Sequence, residues 1–118
     1  MNWFLPIILL LIAAGGFTFY FYRPKKQKRT ESIYTHALNA MVRGDTRTAL
    51  KHLRDVVKQD TNHIDAYLQM GDILREEGNA QAAVKIHQSL TVRPNLNNDI
   101  SRDIHQSLAL DFKQIGHL

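Results

Sequence analysis

Histidine is the residue type in this chain best suited to chemistry, and the six copies are scattered: His36, His52, His63, His87, His105 and His117. A metal site needs ligands that converge, and no two of these lie three or four residues apart on one helix. The chain has no cysteine, which removes thiolate metal sites and disulfide frameworks. No Ser–His–acid order, phosphate-binding loop or cluster of carboxylates is visible. We therefore expect no catalytic residue, no metal ligand and no cofactor. The histidines are assigned to packing and surface roles, and the chain is read as a non-enzyme.

The other charged feature is a basic run. Five of the fifteen Lys and Arg lie between Arg23 and Arg29, and the other ten face eleven Asp and Glu spread over the rest of the chain. The formal net charge of +4 therefore comes from one short segment. A nucleic-acid domain would spread its basic residues over a folded face, so that class is set aside. The run follows directly on Trp3–Tyr22, 20 residues without a charge. As a helix this segment would be about 30 Å long, the thickness of a bilayer hydrocarbon core. Trp3 and Phe4 mark one interface and Phe19, Tyr20, Phe21 and Tyr22 the other. Pro6 lies near the helix start, where its missing N–H does little harm. Ala13, Ala14, Gly15 and Gly16 form a narrow stretch that is either merely tolerated or a helix-packing notch. A cleaved signal peptide would carry its charge before the apolar run and small residues at the cut; here the charge follows. The reading is an uncleaved anchor (1–22) and a basic juxtamembrane stop (23–29), with the N-terminus outside and the rest cytoplasmic.

Positioning anything beyond residue 30 falls to a repeat. Gly44 and Gly78 lie 34 residues apart, as do Ala49 and Ala83; 34 is the period of the tetratricopeptide repeat (TPR). Ala37 and Gly71 are small where the first helix of a repeat meets the second, and Ala49 and Ala83 are the matching small residues. Gly44 and Gly78 suit helix-ending turns with positive φ, Asp45 and Asn79 suit N-caps of the helices that follow, and Pro94 suits a helix end. The expected helices span about 30–43, 46–59, 63–77, 80–93 and 101–115, with a loop at Asn95–Asp99. The fold class is all-α: one transmembrane helix, then a TPR helix-turn-helix solenoid of about two and a half repeats over 30–118 (30–63, 64–97 and a half repeat, 98–118). Gly78 and Gly116 lie 38 apart, so four extra residues are assigned to the loop. The last helix carries Leu108, Leu110, Phe112 and Ile115, which need cover. The sequence is therefore expected to be a fragment, or its last layer to be supplied by a partner.

First helices line the concave groove of such a stack. Candidate protein-binding residues are Tyr34, Leu38, Met41 and Val42 from repeat one, and Asp65, Leu68, Asp72, Arg75 and Glu76 from repeat two. For Asp72, Arg75 and Glu76 the competing reading is a solvated face with intrahelical ion pairs. A clamp for C-terminal carboxylates needs Lys and Asn at positions that Leu38 and Asp72 fill, and is rejected.

Ala66–Leu90, AYLQMGDILREEGNAQAAVKIHQSL, resembles one family more closely than TPRs in general. Gly71, Leu74-Arg75, Gly78 and Ile86-His87-Gln88-x-Leu90 are similar to the lipopolysaccharide assembly protein B family of Gram-negative inner membranes. So is the order of parts, which ends in a helix carrying Leu108-Ala109-x-Asp111-Phe112. The resemblance implies an adaptor that works with a membrane AAA+ zinc protease degrading the deacetylase that commits carbon to lipid A. It implies protein partners and a bacterial inner-membrane location, with no nucleic acid. The family's further repeats and its C-terminal four-cysteine metal site have no counterpart in these residues, so metal binding is not carried over. The alternative is another inner-membrane TPR scaffold, such as those of haem or cytochrome c assembly.

Overall fold

The computed structural model describes residues 2–116, except for the side chains of residues 22–26. Tyr22 of the aromatic belt, Arg23, Lys25 and Lys26 of the basic run, and His117 and Leu118 therefore lie outside the described residues. Among those described, the chain is all-helical: α1 (Phe4–Val42), α2 (Thr46–Gln59), α3 (Ile64–Glu76), α4 (Ala80–Thr91) and α5 (Asn98–Gly116).

Where the sequence suggested an anchor, a stop and a separate first repeat helix, the structure has one helix of 39 residues. At a helical rise this is about 58 Å. Lys, Arg and Gln fill every position from 23 to 29 but one, and these straight-chain residues are strong helix formers. Pro24 supplies no N–H to the ladder, and the helix runs through it. The two ends of α1 have different surroundings. Phe4–Phe21 has a mean hydropathy of 2.2 and none of it is covered by the rest of the chain. Further on, Ala37 and Ala40 are fully buried against α2.

The helical hairpins α1–α2 and α3–α4 are built alike because the same hydrogen bonds recur one period later. The Gly44 N–H donates to Met41 at 3.0 Å and the Gly78 N–H to Arg75 at 2.9 Å; Asp45 donates to Ala40 and Asn79 to Leu74. Both glycines have positive φ, +77° and +92°, a region that costs side-chain-bearing residues free energy. The Asp45 carboxylate then accepts from the Thr48 N–H and the Asn79 amide oxygen from the Ala82 N–H, each at 3.2 Å. These bonds satisfy orphan donors at the starts of α2 and α4. Bonds from the Thr48 side chain and then its backbone hold the Asp45 carboxyl below its ordinary range.

A second pair of caps keeps the same period. The His63 ring accepts from the Ala66 N–H at 3.1 Å, and Asn97 accepts from the Ile100 N–H at 2.8 Å. This overturns the expected loop over Asn95–Asp99: α5 begins at Asn98, with Asp99 in its first turn, where a carboxylate favours the positive end of the helix dipole. The four residues assigned to the loop are instead one extra turn of helix; α5 has 19 residues against 13 in α3. Two apolar cores result. The first holds Ala37, Ala40, Ala49, Leu53, Val56, Ala66 and Ile73 from α1, α2 and α3. The second holds Leu68, Leu90 and Ile104, with Ile64, Tyr67, Leu96, Ile100 and Leu108 around them.

Candidate functional site

The predicted groove residues divide into three groups. Val42 at the end of α1 is 88 % exposed, and Asp65 and Glu76 are also exposed. Tyr34, Leu38 and Met41 are half-buried. Tyr34 lies against the His63 ring, with centroids 4.5 Å apart, and burial followed by the charge of Asp65 pushes its hydroxyl up. The third group departs from the expectation of a surface. Leu68 is a core residue, packed with Leu90 and Ile104, because the extra turn of α5 brings Ile104 over it. Asp72 and Arg75 point into a polar cluster beneath α5.

That cluster was not anticipated. His87 on α4 and Asp111 on α5 are fully buried, and His87 Nδ1 meets Asp111 Oδ2 at 2.5 Å. Arg75 donates to Asp111 Oδ1 at 3.0 Å, to Asp72 Oδ1 at 3.0 Å and to the Ser107 carbonyl at 3.3 Å. His87 Nε2 faces the Leu68 carbonyl at 3.2 Å and Asp72 Oδ1 at 3.5 Å. Burial acts to lower the Arg75 guanidinium, but its bond to Asp111 and the charge of Asp72 outweigh this and push it up. One period earlier, the position of His87 is held by Leu53, a fully buried apolar residue. Counting back from Gly116 to Gly78, the position of Asp111 is that of Ile73. A pair of core aliphatics has thus become an acid–base pair where α5 joins.

Gly71 makes the room. A Cβ built there would stand 2.2 Å from His87 Nε2, whereas Ala37, its counterpart in the first repeat, packs against α2. The remaining repeat positions are placed as follows: Ala49 and Ala83 are fully buried, Gly44 and Gly78 are in the turns, and Pro94 is exposed between α4 and α5. Chemically the cluster is a fastening. Arg75 occupies the place a cation would take between Asp72 and Asp111, and among the described residues no group of three His, Cys, Asp or Glu is placed to hold a metal.

An all-helical chain with one N-terminal apolar helix and a repeat-like stack of hairpins is thereby defined. No family model matches the chain. It is 26% identical to lipopolysaccharide assembly protein B of Escherichia coli (strain K12) over 117 residues, covering 93% of this chain and 30% of the relative. The protein of the same name from Haemophilus influenzae is 25% identical over 125 residues, again covering 93% of this chain and 32% of its own length. The chain is a relative of lipopolysaccharide assembly protein B. It spans about a third of the length of those proteins, which are named for assembly and not for an enzymatic reaction. Its apolar helix is compatible with a single-pass inner-membrane protein.

Proposed function

We propose that the chain is the membrane-proximal part of a TPR adaptor that regulates lipopolysaccharide assembly, holding the lipid A deacetylase near a membrane AAA+ protease. The observation that carries this reading is the alignment to lipopolysaccharide assembly protein B over 93% of the chain, which takes in both the apolar helix and the hairpins. The physical logic agrees with it. A helix whose apolar end is uncovered by protein needs another apolar medium, since apolar surface is driven from water. The other end of the same helix forms half of the first hairpin, so the repeats are tied to that medium without a separate linker. The basic run places the repeats on the cytoplasmic side and the N-terminus outside. Val42, Asp65 and Glu76 then offer exposed apolar and acidic contacts for a protein partner. The reading assigns these residues no cofactor, metal or catalysis.

Orientation and partner are tested together on the full chain in Gram-negative inner membranes. A reporter joined after Leu118 that is active only in the cytoplasm should be active, and the tagged chain should co-purify with the AAA+ protease from solubilised membranes. A reporter active only in the periplasm, or a protease wholly in the unbound fraction, would overturn the proposal.

A further inference from the structure

We propose that Asp72, Arg75, His87 and Asp111 form a proton-dependent latch that closes the C-terminal half of α5 onto α3 and α4, and that loss of one proton from His87 opens it. The argument starts from donors and acceptors. Asp111 Oδ1 accepts from the Arg75 guanidinium, which keeps the carboxylate ionised, so the hydrogen between Asp111 Oδ2 and His87 Nδ1 belongs to the nitrogen. On the other side of the ring, Nε2 faces the Leu68 carbonyl and Asp72 Oδ1. A carbonyl has no hydrogen to give, and Asp72 is itself paired with Arg75. Both ring nitrogens therefore donate, which only the imidazolium can do. The buried set then holds two positive and two negative groups and is balanced.

Removing a proton to solvent unbalances it by one charge. It also sets a bare nitrogen lone pair against an oxygen lone pair at Leu68 or Asp111. In a buried site an unpaired charge or acceptor is expensive, and relief comes from moving Asp111 out to water. The fastening of α5 explains where it gives way. Its first half is held by Ile100, Ile104 and Leu108 in the second apolar core. Its later part is held by Asp111 and by the Ser107 carbonyl, both bonded to Arg75, while Leu110 and Phe112 are 43 % and 51 % exposed.

The titratable and charged groups facing His87 are Asp72 and Arg75 from α3 and Asp111 from α5. An unfolded histidine sheds its proton at about pH 6.5. A fold that still requires that proton binds more protons than the unfolded chain above this pH, so its stability falls as pH rises.

The test uses the full chain in lipid nanodiscs. Amide exchange, corrected for its intrinsic pH dependence, should show protection across residues 107–116 falling tenfold or more between pH 6 and pH 8. Residues 46–59 should hold theirs. His105→Gln removes the exposed histidine of α5 and should leave the effect intact. Ring-nitrogen NMR should find both His87 nitrogens protonated at pH 6. The double variant H87L/D111I, which restores the apolar pair of the preceding repeat, should make α5 protection independent of pH. Equal α5 protection at the two pH values in the native chain would overturn the latch, as would a His87 ring with one bare nitrogen at pH 6.

Discussion

Gly71→Ala should lower the stability of the repeat region by about 3 kcal/mol or more, an unusually large effect for the addition of one methyl group. In a helix the change from glycine to alanine is ordinarily favourable by about 1 kcal/mol. Here that gain is outweighed. The new Cβ would stand 2.2 Å from His87 Nε2, far inside van der Waals contact, so something must move. The ring is fully buried and tethered at both nitrogens, and it cannot rotate away without giving up those bonds. Overpacking alone costs about 1–3 kcal/mol, and breaking a buried charged pair costs about 3–5 kcal/mol. Thermal or denaturant melting of the full chain checks the magnitude, and a double-mutant cycle checks the cause. On a His87→Ala background, Gly71→Ala should cost little. A melting temperature equal to that of the native chain would show that the ring is not held where the structure places it.

Asp111→Ala should destabilise by about 3–5 kcal/mol, because it leaves Arg75 and His87 buried with only Asp72 to answer two positive groups. The damage should be local. Each repeat draws its stability from itself and its nearest neighbours, and the first core is built from α1, α2 and α3 alone. Hydrogen exchange should therefore rise along α5 and in Leu68–Arg75, with α2 unchanged. Uniform loss of protection through α1 and α2 would mean that the two cores are not separable, and unchanged exchange in α5 would remove Asp111 from its fastening role.

The features legible in the sequence were those carried by local geometry. Gly44 and Gly78, with Asp45 and Asn79 behind them, state the turn and the cap in adjacent residues, and the period joins one hairpin to the next. What escaped notice depends on distance along the chain or on competing local preferences. The basic run reads as the boundary of a membrane span, yet the same lysines and arginines are good helix formers and carry α1 on into the first hairpin. The stretch Asn95–Asp99 has the composition of a loop, but Asn97 is a cap and the helix starts immediately after it. Once α5 gains a turn, Ile104 reaches Leu68, and a residue read as groove lining becomes core. The His87–Asp111 pair was hidden for a related reason. The partners are 24 residues apart, and Asp111 falls on an Ile position only in the shifted register set by Gly116. Comparing His87 with Leu53 one period earlier was the available clue: a histidine at a core position needs a buried partner.

The central claim is that one face of this repeat stack engages the protease at the membrane, and site-specific photocross-linking tests it most directly. A photoreactive side chain at Val42 or Glu76, both exposed on first helices of the hairpins, should form adducts containing the AAA+ protease in intact inner membranes. The same group at Lys58 or Lys85, exposed on the second helices, should form none. Adducts of equal yield from all four positions, or none from Val42 and Glu76 with the protease present in the same membranes, would contradict the account.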